Sequence, residues 1–160
     1  MANRLGLAKD IKKWSPLVGR GYKGKGSTVM AICDGTGRPT GFSLHGADQH
    51  ETQCVEDVLE SVSKDNIPKK IFGDKAYDSQ GLQSVLALKW GVDLSAPLRR
   101  SNKQIISDKT IPWQKGRWKI ERLFAWIKSF RRTNTRWEYH PESFLSWIFL
   151  SASLILFFRF

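Results

Sequence analysis

The order of strand-like and helix-like segments is the feature that most limits the folds open to this chain. Two extended runs, TVMAIC and RPTGFSLHG, flank the turn DGTG and predict an antiparallel hairpin. Beyond it, segments with helical spacing alternate with short strand-like runs in the order helix, strand, helix, strand, helix, helix. This alternation is typical of a three-layer α/β domain with a mixed sheet. The order therefore predicts that fold class.

Local signals support each of these elements. Apolar residues recur at helical spacing after the hairpin, and Asp78 or Ser79 can cap the next helix. The predicted elements are a helix near 54–62, the strand KKIFGD, the helix SQGLQSVLALKW, the strand VDLSAPL, the loop RRSNKQIISDKTIPW, a helix from about 114 to 130, the turn RRTNTR and a terminal apolar helix.

The charge of the chain indicates its class of partner. The 160 residues include 26 Lys and Arg against 15 Asp and Glu, which gives a net charge of +11. An excess of this size is the electrostatic footprint of a polyanion binder, so nucleic acid is the first partner to consider. The hydrophobic content of 41% is enough for one globular domain with a core.

The cysteines and the first residues indicate the compartment. Cys33 and Cys54 are too few for a disulfide framework, and we interpret them as reduced structural thiols. The start MANRLGLAKDIKKW lacks the apolar core and cleavage site of a signal peptide. We therefore expect the protein in the cytoplasm. The three histidines stand at no zinc-ligand spacing with the cysteines, so we predict no zinc site.

The C-terminal run FLSWIFLSASLILFFRF has two interpretations. It is uncharged over residues 144–158, which is short of the ~20 residues needed to span a bilayer. A helix that is apolar on nearly every side is also typical of the buried centre of a domain. We favour the buried helix and expect no membrane association, with a small membrane-anchored basic protein as the alternative.

Glu121 is the only acid in the cationic segment RWKIERLFAWIKSFRR. On a helical wheel the apolar residues of this segment form one core-facing arc, and a stripe of charged residues runs along an edge of the arc. The arc contains Ile120, Leu123, Phe124, Ile127 and Phe130, and the stripe contains Arg117, Glu121, Lys128 and Arg132. Glu121 either forms an ordinary i, i+4 pair with Arg117 or is a ligand around which the cations are arranged.

Asp74 is a second candidate acid, because it follows the short apolar strand in IFGDKAYDS. The carboxyl ends of strands are where open α/β sheets usually carry their sites, although a turn or cap role is the simpler alternative. A carboxylate at a strand end can converge with Glu121 on a helix that packs against the sheet. Oxygen ligands suit Mg²⁺ or Mn²⁺, and two such ions could catalyse phosphodiester cleavage.

These motifs resemble the second half of the DDE-type transposases of bacterial insertion sequences. GDKAYDS is followed by RWKIERLFAWIKSFRR and then TRWEYHPESF, and the upstream KGKGSTVMAICDGTGRPTGFSLHGADQHE is similar to the strand pair of the family. The family's signature helix has the form Y-x2-R-x3-E-x6-K. Arg117, Glu121 and Lys128 match this form, whereas Gln114 stands at the tyrosine position. The resemblance covers about residues 18 to 158.

The resemblance implies an RNase H-like fold and a DNA strand-transfer reaction. It implies two Mg²⁺ or Mn²⁺ ions, hydrolytic nicking at the ends of the insertion sequence and transfer of the freed 3′-hydroxyl into target DNA. Asp74 and Glu121 would be catalytic acids and metal ligands. The supporting or DNA-binding cations would be Arg117, Lys128, Arg131, Arg132, Arg136, Arg99 and Arg100. Double-stranded DNA, a second copy in a homodimer and a place near the bacterial nucleoid are implied as well.

The first acid of the family's triad has no clear counterpart here. In the family it lies on the first central strand, and neither Asp10, which lacks strand-like flanks, nor Asp34, a hairpin turn residue, matches its motif. We therefore expect a basic glycine-rich segment at 1–27 and a partial RNase H-like catalytic domain at 28–160 that lacks or alters this strand. An upstream-frame segment could complete it. The alternative is a catalytically inactive remnant that binds DNA without cleaving it.

Overall fold

The structure is a computed structural model that describes residues 2–10, 15–21, 24–97 and 111–160. Helices and strands alternate after the hairpin as predicted, except that the predicted turn RRTNTR forms a short helix, Arg131–Asn134, and a strand, Thr135–Arg136. The strands are β1 (Ala2–Asp10), β2 (Gly19–Gly21), β3 (Gly24–Cys33), β4 (Pro39–Gly46), β5 (Lys70–Phe72), β6 (Asp93–Ser95) and β7 (Thr135–Arg136). The helices are α1 (Val55–Glu60), α2 (Gln80–Trp90), α3 (Ile111–Ser129), α4 (Arg131–Asn134) and α5 (Pro141–Arg159).

The main sheet is mixed and is organised around β3. Strand β4 and the short β2 pair with β3 in antiparallel orientation, and so does β1. Strand β7 then pairs with β1 in parallel orientation, with Lys9 beside Thr135 and Asp10 beside Arg136. The predicted hairpin is confirmed as β3 and β4. Strands from the predicted 1–27 segment thus belong to the same sheet as strands after residue 27.

We expected a domain that lacks or alters the family's first central strand, and the described part of the chain has a central strand, β1, ahead of the hairpin. Strand β1 lies between β3 and β7, and Asp10 is its last residue, although the sequence around Asp10 shows no strand pattern. Strand β1 is held by backbone hydrogen bonds to β3 on one side and to β7 on the other. These bonds do not require an alternating apolar pattern in its sequence. Strand propensity is weak and is readily overridden by such pairing.

The sheet differs from the single mixed sheet that we predicted. In the part of the chain that the structure describes, β5 and β6 form a separate two-stranded parallel sheet. Each has three residues, so few backbone groups are available for pairing with a longer strand. In one continuous sheet, a parallel strand would pair with the free edge of β1. At the end of β1, Lys9 and Asp10 pair with β7 on that edge instead.

Two cores lie on opposite faces of the main sheet, which makes the domain three-layered. Alternate residues of β3 point to opposite faces because a strand has a period of two. Val29 and Ala31 pack with α3 and α5, and Met30 and Ile32 pack with α1, α2, β5 and β6. This arrangement confirms the predicted three layers.

The terminal helix α5 contributes one face to the first core. Its buried residues are Phe144, Ile148, Ser151, Ala152 and Ile155. Its length is enough for a membrane span, and so is the mean hydropathy of 1.6 over its most apolar 18 residues. Of these 18 residues, 28% are buried. We expected the central buried helix of the domain. Instead, one face of α5 packs in the core, and several large apolar side chains on its other faces are exposed.

Candidate active site

Helix α3 places its apolar and charged residues as the helical wheel predicts. Ile120, Leu123, Phe124 and Ile127 are buried in the first core, and Phe130 packs against it just beyond the helix. The charged stripe therefore faces solvent along the edge of the helix. Glu121 and Lys128 are both exposed there.

Glu121 forms an ion pair with the residue one turn before it. The Arg117 Nε atom donates to Glu121 Oε1 over 2.6 Å, and about half of each side chain is exposed. An exposed pair at i, i+4 contributes only ~0.3–0.5 kcal/mol. The pair therefore orients the carboxylate, but it is weak enough to be exchanged for another cation.

Asp74 lies two residues after β5 and caps the short 3₁₀ turn Lys75–Tyr77. Its Oδ1 atom accepts a hydrogen bond of 2.8 Å from the Ala76 backbone N–H. The position after a strand was predicted, and so was the alternative role of a cap residue. The cap restricts the side chain to one orientation, and Tyr77 anchors the turn because it is fully buried in the second core.

The two candidate acids belong to different layers. Asp74 follows a strand of the second core, whereas Glu121 is on a helix of the first core. The side-chain hydrogen bonds described above join Asp74 to Ala76 and Glu121 to Arg117, so each is made within its own turn or helix. Among the residues that the structure describes, no three His, Cys, Asp or Glu side chains are grouped closely enough to hold a metal ion. Convergence of Asp74 and Glu121 on shared ions stays a prediction.

The two candidates for the first acid differ in their surroundings. Asp10 ends the central strand β1, and its side chain lies outside what the structure describes. Asp34 is in the β3–β4 turn, where its Oδ1 atom accepts hydrogen bonds from Thr36 Oγ1, Thr36 N and Arg38 N. Partial burial opposes ionisation of Asp34, but the hydrogen bonds from Thr36, Arg38 and Gly37 outweigh it and lower its pKa.

Part of the predicted basic surface is exposed. Lys128, Arg131 and Arg132 are exposed at the end of α3 and in α4. Arg132 donates to Glu138 Oε1 over 3.0 Å, and its guanidinium lies 5.4 Å from the ring centre of Trp147. Arg99, Arg100 and the side chain of Gln114 lie outside the described residues.

Arg136, one of the predicted DNA-binding cations, does not contribute to the exposed basic surface. Its side chain is fully buried. The guanidinium donates to Ser15 Oγ and Ser27 Oγ over 2.6 Å each, to the Tyr139 carbonyl over 3.1 Å and to the Glu138 carbonyl over 3.2 Å. A buried cation needs such partners, since an unpaired one is costly. Arg136 instead joins β7 to β3 and to the segment before β2.

Sequence reasoning missed a stack of three side chains along α3. The Arg122 guanidinium lies between Trp118 and Trp126, 4.5 Å and 4.7 Å from their ring centres. Arg122 also donates to the Thr36 carbonyl, and Lys119 donates to the Gly35 carbonyl, so both side chains hold the β3–β4 turn against the helix. The W-x3-R-x3-W spacing is the signal that could have revealed it.

A buried histidine was also missed. Nε2 of His45 lies 2.7 Å from Ser43 Oγ, and Nδ1 lies 3.2 Å from Gln49 Oε1 and 3.5 Å from Asp57 Oδ2. Burial lowers the pKa of His45, and Asp57 and Gln49 only partly oppose it. Ser43 and His45 are two apart in β4, so they share a face, and that spacing was visible in the sequence.

An exposed basic surface at the end of the helix that carries Glu121 is the electrostatic feature expected of a protein that binds nucleic acid. Comparison with known families defines the class further. The family model described as the transposase DDE domain matches residues 8–156, almost the whole chain. The chain therefore belongs to the DDE transposase family. No curated protein and no solved structure matches it. DDE transposases act on DNA and generally use divalent metal ions.

Proposed function

We propose that this chain acts in DNA transposition, by metal-dependent phosphodiester hydrolysis and strand transfer at the ends of an insertion sequence. The observation that carries the proposal is the family match, which includes both Asp74 and Glu121. Family membership also supports an RNase H-like relationship for the three-layer domain. We further propose that the protein works in the bacterial cytoplasm, at the nucleoid.

Asp74 and Glu121 fit divalent metal ions in the chemistry of their ligand atoms. Both offer carboxylate oxygens, which Mg²⁺ and Mn²⁺ prefer. Two such ions would activate a water or 3′-hydroxyl and stabilise the leaving oxygen. A third acid is needed from elsewhere. Asp10 is the better of the two candidates because it is the last residue of a central strand. The Asp34 carboxylate already accepts hydrogen bonds from Thr36 and Arg38 in its own turn.

The cations near Glu121 would hold the DNA backbone. Arg117 can exchange its weak pair with Glu121 for a phosphate, since guanidinium binds phosphate oxygens in a bidentate manner. Lys128, Arg131 and Arg132 extend the positive surface along the end of α3 and into α4. In this arrangement the carboxylates would bind the metal ions, and the neighbouring cations would bind the DNA phosphates.

Mg²⁺-dependent nicking of a supercoiled plasmid that carries the insertion-sequence ends tests the proposal. We expect nicking by the wild-type chain and its loss, by at least about a hundredfold, in Glu121→Gln and Asp74→Asn. Glu142→Gln is the matched control, because Glu142 is an exposed acid in the first turn of α5. Unchanged nicking by Glu121→Gln would remove Glu121 from the catalytic set.

The second candidate function is DNA binding without cleavage. It is favoured by the observation that Asp74 caps its own turn and Glu121 pairs with Arg117, since neither role requires a metal ion. Its mark is salt-sensitive binding of duplex DNA by the purified chain, with no nicking in Mg²⁺ or Mn²⁺. If adding a segment encoded upstream restores nicking, the chain is instead one part of an active enzyme.

A further inference from the structure

A recess between α3 and α5 brings aromatic rings and a guanidinium group together, away from the candidate active site. Its volume is about 290 Å³, and its lining includes Trp126 on α3 and Phe158 and Arg159 on α5. Phe158 is 73% exposed. On a helical wheel Trp126 is about 140° from Glu121, so this α3–α5 recess opens on a different side of α3 from the charged stripe.

Two exposed arginines flank the rings of the recess. The Arg159 guanidinium lies 5.5 Å from the ring centre of Trp126, and that of Arg38 lies 5.4 Å from the ring centre of Phe160. Among the described residues, neither arginine forms an ion pair with a carboxylate. Both can therefore bind a phosphate, with which a guanidinium makes paired, charge-assisted hydrogen bonds.

The Trp126 wall of the recess is held in place by its neighbours. The Arg122 guanidinium lies 4.7 Å from the ring centre of Trp126 and 5.9 Å from that of Phe160. The Trp126 and Phe160 rings also pack edge-on, with their centres 6.2 Å apart. Because this wall is fixed in the chain without a ligand, binding a planar group against it would cost little side-chain entropy.

A planar group that carries a negative charge beside it suits this combination of rings and cations. A nucleobase with its phosphate is such a group, and bases stack on aromatic side chains whatever their sequence. The bases of a duplex are already stacked on one another, so only an unpaired base can enter the recess. A purely apolar partner would instead cover the two arginines and leave their charges without a counter-charge, which is costly.

We propose that the α3–α5 recess binds an unpaired base of single-stranded nucleic acid. The base stacks between Trp126 and Phe158, and Arg159 and Arg38 bind neighbouring phosphates. This goes beyond the proposed function, which concerns duplex DNA at the candidate active site, and it involves none of the candidate metal ligands. Stacking and phosphate contacts are common to single-stranded DNA and RNA, so both are ligands of this chemistry.

Fluorescence anisotropy with a labelled oligothymidylate of about 16 nucleotides tests the recess, because this length covers a typical single-strand site. Phe158→Ala should raise the dissociation constant roughly five- to a hundredfold, the effect of losing one stacked base. It should leave binding of a duplex of the same length unchanged. Phe157→Ala is the matched control, since Phe157 is 81% exposed on the same helix but does not line the recess.

A salt series tests the phosphate contact separately. Arg159→Ala should lower the slope of log K against log salt by about 0.7 for the oligothymidylate, as expected when one contact to a single strand is lost. An oligouridylate of the same length distinguishes the two kinds of strand. Binding of either strand that depends on Phe158 supports the proposal, and the tighter of the two identifies the preferred ligand.

Photocrosslinking tests the wild-type chain and needs no variant to fold. An oligonucleotide that contains iododeoxyuridine should crosslink to Trp126 or Phe158, as identified by mass spectrometry. Crosslinks confined to other residues, equal weakening by Phe157→Ala and Phe158→Ala, or an oligothymidylate affinity that Phe158→Ala leaves unchanged would each overturn the proposal. These assays contain no metal ion and measure no cleavage, so a failure of the nicking test at Asp74 and Glu121 would leave their outcome unaffected.

Discussion

Arg136 shows how one side chain can look like a ligand contact and serve the fold instead. In the sequence it belongs to a cationic run near the signature helix, which is why we assigned it to DNA. In the structure it is buried and donates to two serine hydroxyls and two carbonyls. Its donors reach from β7 to β3 and to the segment before β2, so it joins parts of the sheet that are distant in sequence.

We expect Arg136→Lys to lower the free energy of unfolding by about 2–3 kcal/mol. Lysine cannot reproduce the planar fork, and the buried Ser15 and Ser27 hydroxyls would each lose a charged donor. Arg132→Lys, at an exposed site, should change stability by less than ~0.5 kcal/mol. Urea unfolding followed by circular dichroism measures both. Equal midpoints for the two variants would contradict the structural role of Arg136.

His45 gives the stability a pH dependence. Burial lowers its pKa in the folded state below the ordinary value of 6.5, with Asp57 and Gln49 opposing the shift. The unfolded chain therefore binds a proton first as the pH falls, so stability is fully present above pH 6.5 and is lost as the pH falls toward the folded pKa. Urea unfolding at several pH values from 6.5 downward should show that the free energy of unfolding of the wild-type protein falls as the pH falls.

The slope should be reduced in His45→Gln, which cannot titrate, and retained in His50→Gln. His50 is an exposed residue that caps a 3₁₀ turn through a hydrogen bond from the Thr52 backbone N–H. If His45→Gln keeps the wild-type slope, another group is responsible for it.

At the scale of elements, the β3–β4 turn and helix α3 form one unit. Lys119 and Arg122 donate to carbonyls of the turn, and Arg122 is held between Trp118 and Trp126. Gly37 allows this close approach. It has a φ of 95°, and a Cβ there would lie 3.1 Å from Arg122 Nη2 and 3.4 Å from Lys119 Cβ. The turn thus anchors the helix that carries Glu121.

Gly37→Ala should therefore destabilise the protein by about 1–2 kcal/mol, because alanine is strained at positive φ and crowds α3. Gly35→Ala is the matched control in the same turn, since a Cβ at Gly35 meets no atom within 4 Å. Thermal unfolding of both variants measures the difference. A Gly37→Ala protein as stable as Gly35→Ala would show that the close approach is not constrained.

At the scale of the whole molecule, the net charge of +11 should control DNA binding. Each phosphate contact contributes about 0.9 to the slope of log K against log salt. We expect Lys128→Ala/Arg131→Ala to reduce this slope by about 2 for duplex DNA. Lys89→Ala should leave it unchanged, because Lys89 on α2 is paired with Glu56 on α1. Fluorescence anisotropy across a salt series measures it, and an unchanged slope in the double variant would place the DNA elsewhere.

The sequence by itself determined the features that depend on neighbours along the chain. The β3–β4 hairpin, the core-facing arc of α3 and the alternation of elements were predicted correctly, because turn chemistry and residue period act over a few positions. The family resemblance, confirmed by the match over residues 8–156, rests on equally local motifs.

Only the tertiary structure decided the features that join distant segments. The burial of Arg136, the placement of Ala2–Asp10 as a central strand and the separate β5–β6 sheet depend on pairing across the fold. Leu150, Leu154 and Phe157 on α5 are exposed for the same reason, since the helix is apolar on nearly every side and only packing selects which face is covered. Burial and long-range pairing are properties of the whole packed chain, and local pattern does not specify them.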